Sequence, residues 1–111
     1  MTTKEMAETF ADWAAANSRD FSGCDYSYSK VSFGSYALTL SGVSKAYGVS
    51  YERTIVYDGK QIRVKSDLGD GENYTAPSNR AGSEVKMIID KFDEMFKDIP
   101  KPLLILNVYY D

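Results

Sequence analysis

Cys24 is the only thiol in the chain, and there is no histidine. A nucleophilic cysteine needs a base or an electropositive setting to form thiolate, and Cys24 sits between Gly23 and Asp25. An adjacent carboxylate disfavours the thiolate, so the expectation is a small residue at a strand entrance. Without histidine, Ser-His-Asp and Cys-His arrangements and His-ligated metal sites are excluded within this chain. Asp67, Asp70 and Glu72 place hard oxygen ligands in a glycine-containing stretch, but their spacing is not that of an EF-hand loop. Gly69-Asp70-Gly71 lacks the lysine of a phosphate loop and the spacing of a dinucleotide fingerprint. No GxSxG elbow or HExxH pair is present. No catalytic residue, no metal and no cofactor is therefore expected, and the chain does not read as an enzyme.

Two sets of residues suit binding instead. Lys45, Lys60, Arg63 and Lys65, with Lys30, make a basic stripe, and Tyr47, Tyr51 and Tyr57 lie close by in sequence. Rings beside cations suit stacked single-stranded bases, so Lys60, Arg63 and Lys65 are the candidate nucleic-acid contacts. No RNP1-like pattern accompanies them. The nine tyrosines are the most unusual feature of the composition. Tyrosine presents a large contact area with a polar tip at small entropic cost, which favours protein interfaces. The candidate protein-binding residues are Tyr47, Tyr51, Tyr57 and Tyr74, together with Asp70 and Glu72 of the polar segment 67–82.

These residues must be positioned by helices and strands. Thr2 and Glu5 have capping-box spacing, and Met6, Phe10, Trp13 and Ala14 follow on one helical stripe, so a helix is expected over residues 3–17 with Trp13 as its core anchor. From Asp25 the period changes to two. Tyr26 and Tyr28 alternate with serines, while Val31 and Phe33 fall on the opposite parity, which implies a bulge near Ser29–Lys30. Tyr36, Leu38 and Leu40 resume the alternation. Tyr47, Val49, Tyr51, Ile55 and Tyr57 share one face with Arg53, a charge that must lie at an edge, pair with a carboxylate or snorkel outward.

Asp58-Gly59 between two strand-like runs predicts a two-residue type I′ hairpin, with Tyr57 opposite Lys60, Ile55 opposite Ile62 and Glu52 opposite Lys65. Residues 67–82 read as a long polar loop, of the kind that often carries function. Val85, Ile88, Ile89, Phe92 and Phe96 form a second helical stripe over residues 83–97, stopped by Pro100 and Pro102. Leu103 to Leu106 are apolar on both parities and read, with Val108 to Tyr110, as a strand that joins the sheet or pairs with a partner chain.

The expected fold is one α+β domain over residues 1–111, in the order α-β-β-β-β-α-β, with two helices on one face of a mainly antiparallel sheet. The other face would be tyrosine-rich and partly basic. The net charge of −3 hides a pattern: residues 30–66 hold six basic and two acidic groups, and both flanks are acidic. No apolar run approaches the length of a membrane helix, and the polar first ten residues lack a signal-peptide core, so a cytoplasmic protein is expected, in a host cell's cytoplasm if phage-encoded.

The expected function is a non-enzymatic protein-binding module with an unidentified protein partner. Small single domains without catalytic motifs are common among phage and mobile-element proteins that inhibit host defence complexes, anti-CRISPR proteins among them. Alternatives are a nucleic-acid-binding accessory protein using the basic hairpin, and a small-ligand domain with a pocket between helices and sheet. Strand addition across an exposed sheet edge would make a homodimer.

Overall fold

The computed structural model describes residues 2–20, 22–34, 36–67 and 73–99, and the backbone of 107–109. Helix α1 spans Thr3–Asn17 and helix α2 spans Ser83–Phe96. The strands are β1 (Ser27–Ser32), β2 (Leu38–Ala46), β3 (Val49–Tyr57), β4 (Gln61–Ser66), β5 (Tyr74–Pro77) and β6 (Asn107–Tyr109). They form one antiparallel sheet in the order β5-β4-β3-β2-β1-β6. Both helices lie on one face, and the chain is an α+β fold as its periodicities imply. Among the described residues no helix is long and apolar enough to cross a membrane.

The sheet side of the core is laid down in rows. Val31, Leu40, Ile55 and Val64 pair across four strands, and Leu38, Tyr57 and Ile62 form the next row. All seven are buried. Phe10 of α1 and Phe92 and Phe96 of α2 close over them, with Phe33 5.1 Å from Phe96 and Phe10 5.8 Å from Phe92 between ring centroids. Each fully buried phenylalanine or leucine contributes roughly 1.5–3 kcal/mol, so this cluster dominates the stability. It also packs the space between the helices and the sheet.

The phase slip in β1 is real. Tyr28 pairs with Gly42 and Lys30 with Ser41, so Ser29 is the extra residue and both Tyr28 and Val31 reach the core. Gly42 makes this possible, because a Cβ there would lie 2.6 Å from the Tyr28 ring and 2.8 Å from the Ser27 carbonyl oxygen.

Four expectations are corrected. In α1 the buried stripe is Ala7, Phe10, Ala11 and Ala14; Trp13 is only partly buried, with the Lys91 ammonium 5.6 Å from its ring centre. Phe10 is the anchor, because alanines at i−3 and i+4 let α1 approach closely around it. The β3–β4 turn is displaced by one residue. Tyr57 pairs with Ile62 and Thr54, not Glu52, faces Lys65. The Asp58 carboxylate accepts the N–H groups of Lys60 and Gln61, which keeps Asp58 in the flanking position and leaves Gly59 and Lys60 at the centre of the turn. Positive φ is confined to Gly59, the pattern of a type II′ turn rather than type I′. The register moves by two, so every side chain keeps its face.

The segment 67–82 is not all loop, because residues 74–77 form strand β5 and residues 78–80 a 3-10 turn. Tyr74 and Ala76 alternate inward against exposed Thr75 and Pro77, a pattern that the flanking glycines and serines obscure in sequence. Ser78 donates its N–H to Lys60, which by alternation turns the Pro77 nitrogen to the outer edge. A proline there leaves that edge poor in donors, which blunts strand addition. Finally, among the described residues the face away from the helices is not tyrosine-rich: Tyr26, Tyr28 and Tyr57 are buried on the helix side. The hydrophobic strand expected at residues 103–106 lies outside the described residues.

Candidate protein-binding surface

Strands β2 and β3 are nine residues each, longer than their neighbours. Pairing with β1 ends at Val43 and pairing with β4 ends at Arg53. The pairs Ser44–Tyr51, Lys45–Ser50 and Ala46–Val49 therefore extend past both neighbouring strands as a two-stranded ribbon. At about 3.4 Å per residue these pairs span about 10 Å, with Ser44 and Ala46 still buried on the helix side. Tyr47 and Gly48 form its tip with φ of 53° and 78°. Positive φ at both central residues is the type I′ turn that suits the twist of a hairpin, normally supplied by Asn-Gly.

Tyr47 is the only non-glycine residue with positive φ among the described residues. A bulky side chain in that conformation is strained. The ring is 91% exposed, and Val49 beside it is 52% exposed. The sequence thus places an aromatic ring where folding alone would favour asparagine or glycine, and leaves it in solvent.

The ribbon is braced from the helix side. Ser44 is buried and donates its hydroxyl to the Asp20 carboxylate at 2.6 Å. Asp20 also accepts from the Ser22 N–H, the Ser22 hydroxyl and the Cys24 N–H. Burial pushes the Asp20 carboxyl upward, but these hydrogen bonds outweigh it and hold the group below the ordinary carboxylate range. The α1–β1 connection is thereby clamped against the base of the ribbon.

Next to it, Arg53 is buried at 3% exposure, pairs with Glu84 at the start of α2 and lies 4.9 Å from the Tyr26 ring centre. Glu84 also accepts the Arg19 N–H. The Tyr28 hydroxyl donates to Ser18, and burial pushes Tyr28 up to about 12 despite the opposing Arg53 charge. Arg53 therefore belongs to the core side and does not reverse the strand's face.

The remaining candidates separate. Tyr51 is half-buried on the ribbon's helix-side parity. Tyr57 is a core residue that donates its hydroxyl to Asp93 at 2.9 Å, and burial followed by that bond raises its pKa. It offers no ring to a partner. Tyr74 is half-buried, and its hydroxyl accepts the Gly82 N–H. Asp70 and Glu72 lie outside the described residues. Lys60 is exposed in the β3–β4 turn, whereas Arg63 and Lys65 stand on the open face of β4. The basic residues are thus parted from the tyrosines expected to stack bases beside them.

Sequence reasoning included Tyr47 only as one tyrosine among several. The signal for its special place was available: a Tyr-Gly step between two alternating runs, in the position where Asn-Gly marks a hairpin. It missed the Asp20 clamp, because Ser22, Cys24 and Ser44 have no motif spacing. Among the described residues no group of three acidic or cysteine side chains is placed to hold a metal ion. Comparison of the chain with protein-family models, with curated proteins and with solved structures finds no match.

Proposed function

We propose that the chain is a non-enzymatic protein-binding module that engages its partner through the tip of the β2–β3 ribbon. One observation carries the reading: Tyr47 is displayed at 91% exposure in a strained left-handed conformation, on a ribbon clamped from behind. Strain retained at an exposed apolar ring is a cost to folding with no return inside the fold, and binding supplies the return. Rigid presentation limits the entropy lost on association. The partner offers an apolar cleft for Tyr47, with Val49 at its rim.

Affinity capture from the native cell tests the reading. Tyr47→Ala is expected to weaken capture of the partner by about 30-fold, the loss typical of a hot-spot aromatic, while the circular-dichroism spectrum stays unchanged. Full retention of the partner by a folded Tyr47→Ala protein overturns it.

The mode of action we assign is inhibition of a host defence complex, as anti-CRISPR proteins inhibit theirs. Its support is the small size and the lack of a recognisable catalytic motif, an argument from class rather than from geometry. Co-expression with an active CRISPR system is expected to restore plasmid transformation, and unchanged interference contradicts the assignment.

A further inference from the structure

The face of the sheet away from the helices carries two rows of side chains, all polar but for Val56. Ser32, Thr39, Val56, Arg63 and Thr75 pair across five strands, and Lys30, Ser41, Thr54 and Lys65 across four. The Ser41 and Thr54 hydroxyls lie 3.2 Å apart between the two lysines. The helices hold three basic and seven acidic residues, so the two sides of the molecule differ in charge. Beside Arg63 a shallow cleft opens between Val56, Gln61 and the 47% exposed ring of Tyr36. The ribbon continues this face, with Lys45 and Glu52 on the same parity.

We infer that this open face receives an acidic protein surface, with aspartate or glutamate side chains over Arg63 and Lys65 and an apolar group in the Tyr36–Val56 cleft. The inference rests on the protein-binding reading and names the chemistry of the partner. Charge complementarity favours an anionic occupant. The arrangement disfavours a nucleic acid in two ways. Glu52, Asp58 and Asp67 border the cations and would meet a regular row of phosphates. Single strands bind on successive stacking rings, and Tyr36 is the one described tyrosine beside Arg63, with Tyr26, Tyr28 and Tyr57 turned to the core. A protein surface with a few acidic groups spaced to avoid those carboxylates meets neither difficulty.

NMR titration of the whole protein tests the inference with two probes, a short peptide carrying glutamates spaced by glycine and serine and one leucine, and an oligothymidylate of matching length, at low salt. The peptide is expected to shift the amide resonances of Thr54, Val56, Arg63, Lys65 and Thr75 and to leave α1 and α2 unmoved. The shifts should fall away as salt approaches physiological strength, and the Arg63→Ala/Lys65→Ala double variant should lose them. Both side chains are exposed, so that variant folds, and its unchanged helix resonances report it. Absent shifts, shifts confined to the helices, or tighter binding of the oligothymidylate each overturn the inference. Tyr47→Ala should leave the peptide shifts in place, so failure of the ribbon reading and failure of this one are told apart.

Discussion

Tyr47 concentrates the tension between folding and function in one residue. Its left-handed backbone is a position where Asn pays less, because a short polar side chain tolerates αL. Tyr47→Asn creates the preferred turn sequence ahead of Gly48 and is expected to stabilise the protein by about 1 kcal/mol while abolishing partner capture. Chemical denaturation and capture on the same preparation check both halves. A destabilised or still-binding Tyr47→Asn protein would show that the tyrosine is there for the fold. The case also marks the limit of reading tyrosines by count: Tyr26, Tyr28 and Tyr57 have the same composition signal as Tyr47 yet are core residues. Parity alone placed Tyr57 on Arg53's face; the burial of Ile55 and Tyr57, with Arg53 paired to Glu84 beside them, says which face is inside.

At the scale of elements, the ribbon depends on the clamp beneath it. Asp20 has a depressed pKa in the folded protein, so it binds protons more readily unfolded. Its contribution to stability is therefore complete above the unfolded value, about 3.9, and is lost as pH falls through the folded pKa. Thermal melts between neutral and acid pH should show a stability loss in that acid range that Asp20→Asn flattens; an identical acid limb in the variant would refute the clamp. Ser44→Ala should cost about 1 kcal/mol at neutral pH by removing one donor from a buried carboxylate.

Both helices, the bulge at Ser29 and strands β1 to β4 were legible because apolar periodicity and capping residues are local signals. Strand β5 was hidden because four residues among glycines and serines carry too little pattern. The β3–β4 register was misread because the Asp58 side chain, rather than the Asp-Gly backbone, opens the turn.

Across the whole molecule, the charge blocks of the sequence become layers. The basic middle of the chain supplies β2 to β4 and the end of β1, and the acidic flanks include both helices. Arg53 and Glu84 join the layers through the core. Removing the carboxylate leaves the guanidinium buried without it, so Glu84→Ala is expected to destabilise by about 3 kcal/mol. Arg53→Met, which removes the charge and keeps the volume, should cost less, and urea unfolding of the two variants measures the order. The reverse order would mean that Arg53 matters through its other contacts.

The most direct test of the central claim places a photoreactive benzophenone side chain at position 47 in the producing cell, with a second variant carrying it at exposed Asp90 on the helix side as control. A single protein adduct from position 47, absent from position 90, is the expected result. No adduct from position 47, or the same adducts from both positions, would contradict the ribbon tip as the binding element.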